Sequence, residues 1–161
     1  MTGRTALVLV ASTRAARGVY EDRSGVKLVD WLRSEGFSSP DPMVVEDAHF
    51  AEVFETAVAN ERARPRLIIT SGGTGLSSDD RTVEAVAPHL DYEIPGVMYA
   101  LWRKGLEATP TAILSRGVAG VIGRSFVVTL PGSPGGVKDG IAVLDGIYRH
   151  VLDQLEDRHD H

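Results

Sequence analysis

Cysteine is absent from the 161 residues. Disulfides, thiolate nucleophiles and cysteine-ligated zinc are excluded with it. No apolar stretch approaches the roughly 18 residues expected of a membrane-spanning helix, so no membrane partner is expected. A cationic excess is missing too. Seventeen Lys and Arg against 22 Asp and Glu leave a net charge of −5, which disfavours nonspecific nucleic-acid binding. An anionic substrate must then be met by local positive groups. The five histidines are scattered without metal-ligand spacing. No Gly-x-Ser-x-Gly elbow supports a Ser-His-Asp arrangement. Neither a G-x-G-x-x-G fingerprint nor the Lys-Ser/Thr of a P-loop occurs.

What remains is an ordinary folded composition, 43% hydrophobic and 24% charged, with length for one domain and a real core. Arg4 ahead of the apolar run Ala6–Ala11 faintly imitates a signal peptide. The run is short, however, and Arg14 and Arg17 follow at once. It reads as a first β-strand, and a cytoplasmic location is expected. Residues 1–155 read as one domain. The polar segment 156–161 reads as a frayed tail whose two histidines receive no function.

Leu7–Val10 has the continuous apolar character of a strand buried on both faces. Val26, Val29 and Leu32 suggest one face of a helix over 24–35, stopped by Gly36. Met43–Val45 reads as a second strand. Phe50, Val53, Phe54, Ala57 and Val58 follow helical spacing. Leu67–Thr70 is a third strand, and Thr82–Ala87 and 97–107 read as helices. Glu93–Gly96 reads as a turn, Thr111–Leu114 as a strand and 117–123 as a glycine-punctuated connection. Phe126–Leu130 is a strong strand, followed by one long helix over 137–155. Alternating strands and helices predict an α/β/α three-layer sandwich with a mostly parallel sheet. One antiparallel departure is expected within 111–130, where no helix intervenes.

Two segments bear chemistry. Thr70-Ser71-Gly72-Gly73-Thr74-Gly75 leaves a strand with little side-chain bulk, so its backbone amides can approach a phosphate closely. Asp79 and Asp80 follow. They read equally as helix caps or as carboxylates holding a divalent metal against that phosphate. Asp47, also after a strand, is open to the same two readings. The second segment, Leu130-Pro131-Gly132-Ser133-Pro134-Gly135-Gly136, is a stiff turn. There Ser133 and the first amides of the next helix can bind an anion, with Lys138 one turn in. Both loops leave strand ends, where α/β sheets bind ligands, so they can share one rim. Arg14 and Arg116, beside Ser12 and Ser115, are the better arginine candidates for gripping phosphate. Trp31 and Trp102 read as core or interface residues ahead of ligand stacking.

The TSGGTG…DD segment at 70–80 with LPGSPGG at 130–136 resembles the molybdopterin adenylyltransferase family, the Mog proteins and the gephyrin G domain. Ser12 with Arg14, Gly18–Tyr20, Ile94–Gly96 and Thr111–Arg116 match in order and spacing. The resemblance covers about Thr5 to Leu155. It implies a homotrimer in which molybdopterin and ATP, with Mg²⁺, give adenylyl-molybdopterin and pyrophosphate, and a downstream molybdenum insertase as a partner. It implies functional roles for Asp47 and Asp80, with Mg²⁺ on Asp80 and Asp47. Ser12, Arg14, Ser71, Gly72, Gly73, Thr74, Gly75, Ser115, Arg116, Pro131, Gly132, Ser133 and Pro134 would bind nucleotide and pterin. There are three departures from the family pattern. Thr13 replaces an Asp, Asp79 stands where relatives are often basic, and Gly135-Gly136 replaces a Lys or Asn. The competing expectations are a non-catalytic molybdopterin-binding scaffold trimer, a competence-damage-type nucleotide phosphohydrolase and a standalone insertase.

Overall fold

The computed structural model describes residues 3–157. Six strands form one sheet in the order β2-β1-β3-β6-β5-β4. They are β1 (Ala6–Ala11), β2 (Met43–Val45), β3 (Leu67–Ser71), β4 (Tyr92–Glu93), β5 (Ala119–Ile122) and β6 (Ser125–Leu130). β2, β1, β3 and β6 run parallel, while β5 runs against both of its neighbours. The helices are α1 (Thr13–Ala16), α2 (Ser24–Ser34), α3 (Phe50–Ala59), α4 (Thr82–Val86), α5 (Pro95–Leu106), α6 (Pro134–Asp145) and α7 (Tyr148–Leu155).

The expected sandwich follows from alternation along the central strands. Ala6, Val8 and Val10 of β1 join Leu67, Ile69, Phe126 and Val128 beneath α2, α5, α6 and α7. Leu7, Leu9 and Ala11 turn to the other face with Ile68 and Val127, beneath α3 and α4. Phe50, Phe54 and Phe126 are almost fully buried, each contributing roughly 1.5–3 kcal/mol of transfer free energy.

Several sequence expectations need correction. Thr111–Leu114 is not a strand. It lies in a 3-10 turn, Pro110–Leu114, because the Thr109 hydroxyl accepts the Thr111 N–H and proline occupies the first turn. The segment read as a connection instead holds β5. Gly120 there is a strand residue whose missing Cβ lets the Tyr92 carbonyl approach. The final helix is two helices, α6 and α7, broken at Gly146-Ile147. On α2 the buried face is Gly25, Leu28, Val29 and Leu32, and Val26 faces solvent. Of the turn expected over Glu93–Gly96, Glu93 belongs to the short edge strand β4 and Pro95 and Gly96 to the first turn of α5. Glu156 is not frayed, since it pairs with Arg4 at 3.0 Å. His159 and His161 lie outside the described residues.

Candidate active site

The parallel strands deliver their carboxyl ends to one rim, where the two glycine loops meet. Gly72 N–H donates to Leu130 O at 3.0 Å, and the Ser71 hydroxyl donates to Pro131 O at 3.3 Å. Gly72 (φ +92°) and Gly73 (φ +71°) occupy left-handed backbone, where side chains are strained. A Cβ on Gly72 would strike Ala11 O, and one on Gly73 would strike the Thr82 hydroxyl. Thr82 is buried. Its hydroxyl donates to Gly72 O at 2.9 Å, and its N–H donates to Gly73 O at 3.1 Å. The loop carbonyls are therefore claimed by the fold. The N–H groups of Gly73, Thr74 and Gly75 have no acceptor among the described residues. Three successive donors on one short loop favour an anion.

Those residues line a cleft of about 520 Å³ together with Gly72, Asp80, Ser115, Pro131, Gly132 and Ser133. Ser12, Ser71 and Pro134 line the adjoining space beyond Gly72 and Gly132. On the other side lies a more enclosed cavity of about 250 Å³, walled by Met98, Leu101, Trp102 and Asp139 and floored by Ser115 and Pro131. Trp102 packs partly against the core and donates its indole N–H to Ser115 O at 2.9 Å. Ser115 in turn shares a 2.8 Å hydrogen bond with Thr74. Ser133 accepts the Gly136 N–H at 3.1 Å and so opens α6.

None of the three aspartates Asp47, Asp79 and Asp80 caps a helix with its side chain. Asp80 closes a turn by accepting Ser77 N–H at 3.0 Å, and it lines the cleft beside Gly75. Asp79 is exposed and does not line that cleft. Asp47 heads a 3-10 turn, yet its carboxylate goes elsewhere. It accepts from the Thr13 hydroxyl at 2.9 Å and from Thr13 N–H at 3.3 Å, while its own N–H donates back to the Thr13 oxygen at 3.0 Å. The Thr13 hydroxyl thus satisfies Asp47, where a second carboxylate would repel it. Asp47 follows β2, Asp80 lies on the loop beyond β3, and β1 runs between those two strands. Among the described residues no group of three acidic or histidine side chains forms a metal cage. The donor set fits Mg²⁺, which usually binds through one or two carboxylates with substrate phosphates and water.

The arginines divide sharply. Arg116, expected to grip phosphate, spends its donors on the protein. It reaches Gly75 O at 2.8 Å, Asp80 O at 2.7 Å and the Glu84 carboxylate at 2.7 Å. The Arg116 hydrogen bond holds the Glu84 carboxyl below its ordinary range, and the Glu84 bond raises Arg116. Arg116 therefore buckles the first loop. Arg14 is exposed with its guanidinium 5.4 Å from the Tyr20 ring centre, and it enters no carboxylate pair among the described residues. Tyr20 meets Ser12 at 3.1 Å. Thr13, Thr82 and Glu84 were missed from sequence. Their hydroxyls and carboxylate act on partners 34, 10 and 32 residues away, and no local pattern signals that.

Fold and rim define a doubly wound α/β domain with a glycine-built anion cleft at the carboxyl ends of its strands. Residues 7–148 match a family described as "Probable molybdopterin binding domain". The molybdenum cofactor biosynthesis bifunctional protein of Chlorobaculum tepidum is 37% identical over 153 residues, which cover 95% of this chain and 48% of that protein. The chain spans about half the length of that relative. The molybdopterin adenylyltransferase of Helicobacter pylori is 34% identical over 151 residues, covering 92% of the chain and 85% of the relative. The solved structure of the molybdopterin biosynthesis Mog protein from Mycobacterium ulcerans matches with a TM-score of 0.88 at 48% identity, covering 95% and 99% of the two chains. This chain belongs to the molybdopterin-binding family of molybdenum cofactor biosynthesis.

Proposed function

We propose that the protein is a molybdopterin adenylyltransferase. The terminal phosphate of molybdopterin attacks the α-phosphorus of ATP, a new P–O bond forms, and the bond to the β-phosphate breaks. Pyrophosphate leaves with the bonding electron pair, and adenylyl-molybdopterin remains. The supporting observation is the run of three uncommitted amides, Gly73 to Gly75, in a cleft that also holds Asp80. The substrate supplies the nucleophile, so a chain without cysteine is chemically sufficient. The protein's contribution is positioning and charge neutralisation.

The roles divide as follows. The amides of Gly73, Thr74 and Gly75 bind phosphate oxygens. The α6 N-terminus, shaped by Ser133 and Pro134, binds a second anionic group. Arg14, exposed over the Tyr20 ring beside Ser12, supplies a positive charge. Asp80, with Asp47, would hold Mg²⁺. When present, that ion supplies charge neutralisation at the phosphates. Arg116 is a positioning residue that keeps the loop carbonyls and the Asp80 backbone in place. The more apolar cavity beside Trp102 suits a flat heterocycle. A homotrimer, a cytoplasmic location and delivery to a molybdenum insertase complete the reading. The adenylyl-transfer part of the reading is supported by the relatives named for molybdopterin adenylylation and for bifunctional cofactor biosynthesis.

The test is Asp80→Ala, assayed for adenylyl transfer across a Mg²⁺ titration. Loss of transfer by at least a hundredfold is expected, with only the small drop in melting temperature, roughly 2–4 °C, that loss of the single Ser77 hydrogen bond brings. Full activity with the parent's Mg²⁺ dependence would refute the role of Asp80.

A further inference from the structure

The opposite pole of the sheet carries a second polar cavity of about 340 Å³, at the amino-terminal ends of β3 and β6. Four arginines, Arg62, Arg64, Arg66 and Arg124, line it with Ser125, and Glu61 is the one lining carboxylate among the described residues. The five-residue length of β3 separates this cavity from the glycine loop, roughly 16 Å. It is therefore distinct from the candidate active site.

These arginines are bonded unlike the tightly paired ones. Arg116, Arg149 and Arg4 meet carboxylates at 2.7, 2.8 and 3.0 Å. Here the nearest carboxylate distances are 3.8 Å, from Arg66 to Glu156, and 3.6 Å, from Arg124 to Asp157. Both exceed ordinary N–H···O lengths. Arg64 is fixed instead by carbonyls, with Nε donating to Val58 O at 2.7 Å and Nη1 to Ile122 O at 3.4 Å. Carbonyls orient a guanidinium without neutralising its charge. The Arg62 side chain pairs with no carboxylate among the described residues. A chain with 22 acidic residues and a net charge of −5 thus gathers four cations in one cavity, two of them in ion pairs of 3.6 and 3.8 Å and two, Arg62 and Arg64, with no carboxylate partner among the described residues.

We infer that this cavity binds a small oligophosphate anion of the diphosphate type. Guanidinium forks match the oxygens of phosphate geometrically. Three of the arginines sit on the loop entering β3 and the fourth on the turn entering β6. Spanning both takes a ligand carrying several charges. A volume of about 340 Å³ holds such an anion but not a folded peptide segment.

The experiment titrates inorganic pyrophosphate into the full-length protein and follows backbone amides by NMR. Saturable shifts over residues 61–66 and 123–125 are expected. Their apparent affinity should fall at least tenfold in R62Q/R124Q and weaken with added salt. Arg124 is 56% exposed, so R124Q alone is the second variant should the double substitution impair folding, with at least a threefold loss expected. Shifts confined to 72–75 and 133–136 would overturn the inference, as would unchanged affinity at this pole in a folded variant. Saturation of the same amides by a glutamate oligopeptide at lower concentration than pyrophosphate would overturn the phosphate assignment. Adenylyl transfer is read separately, so failure here leaves the rim assignment intact.

Discussion

Replacing Arg116 by Ala separates a buckle from a substrate contact. In the structure Arg116 holds Gly75 O, Asp80 O and Glu84. The two backbone bonds contribute about 1 kcal/mol each. The Glu84 pair is roughly one-third exposed on both sides, so solvent screening limits it to about 0.5–1 kcal/mol. Together they give about 2–3 kcal/mol, which lowers the melting temperature of a domain this size by roughly 5–10 °C. Thermal unfolding measures this directly. A double-mutant cycle with Glu84→Gln isolates the pair, and a coupling of about 0.5–1 kcal/mol is expected. Transfer activity should fall mainly through weaker binding of nucleotide, because the loop amides lose their fixed directions. The reasoning is refuted if Arg116→Ala melts within 1 °C of the parent while turnover collapses. That outcome would make Arg116 a group that touches substrate.

Other perturbations probe the same frame. Gly72→Ala should cost about 2–5 kcal/mol, since the left-handed backbone and the clash with Ala11 O act together; denaturant unfolding measures it. Thr13→Val removes the hydroxyl that both donates to and accepts from Asp47. It should lower stability by about 1–2 kcal/mol and weaken transfer, whereas Thr13→Ser should restore most of both. Tyr148 tests pH dependence. Burial and its hydrogen bond to Glu35 push its hydroxyl up to about 12. The folded value lies above the unfolded value near 10, so the associated stability is present below pH 10 and lost between about pH 10 and 12. At about 1.4 kcal/mol per unit, the loss is on the order of 3 kcal/mol. Melting curves of Tyr148→Phe should lack this extra decline.

Much of the frame is legible locally. Leu7–Val10 and Phe126–Leu130 are apolar on both strand faces, which marks a central parallel sheet before any contact is known. The glycine loops announce themselves because Gly72 and Gly73 need backbone that other residues resist. Other features depend on distant chain. Thr111–Leu114 has strand-like composition, but Thr109 and Pro110 turn it into a 3-10 segment that leaves Ile113 and Leu114 half exposed. Gly120 reads as loop punctuation until β4 packs its backbone against it. Asp47 reads as a cap because Thr13, its real partner, is 34 residues earlier. Arg116 reads as a phosphate ligand because neither Gly75 nor Glu84 is near it in sequence. Residue types at the rim are thus visible in the sequence, but their hydrogen-bond partners are products of the fold.

The most direct measurement is incubation of the purified protein with molybdopterin, ATP and Mg²⁺, followed by mass detection of the pterin and quantitation of pyrophosphate. Adenylyl-molybdopterin and pyrophosphate appearing in equal amounts, and only when both substrates are present, is the expected result. Pterin binding without adenylylation, under conditions that activate a known adenylyltransferase, would contradict the proposed reaction and favour a scaffold. Nucleotide hydrolysis independent of pterin would contradict it in favour of a phosphohydrolase.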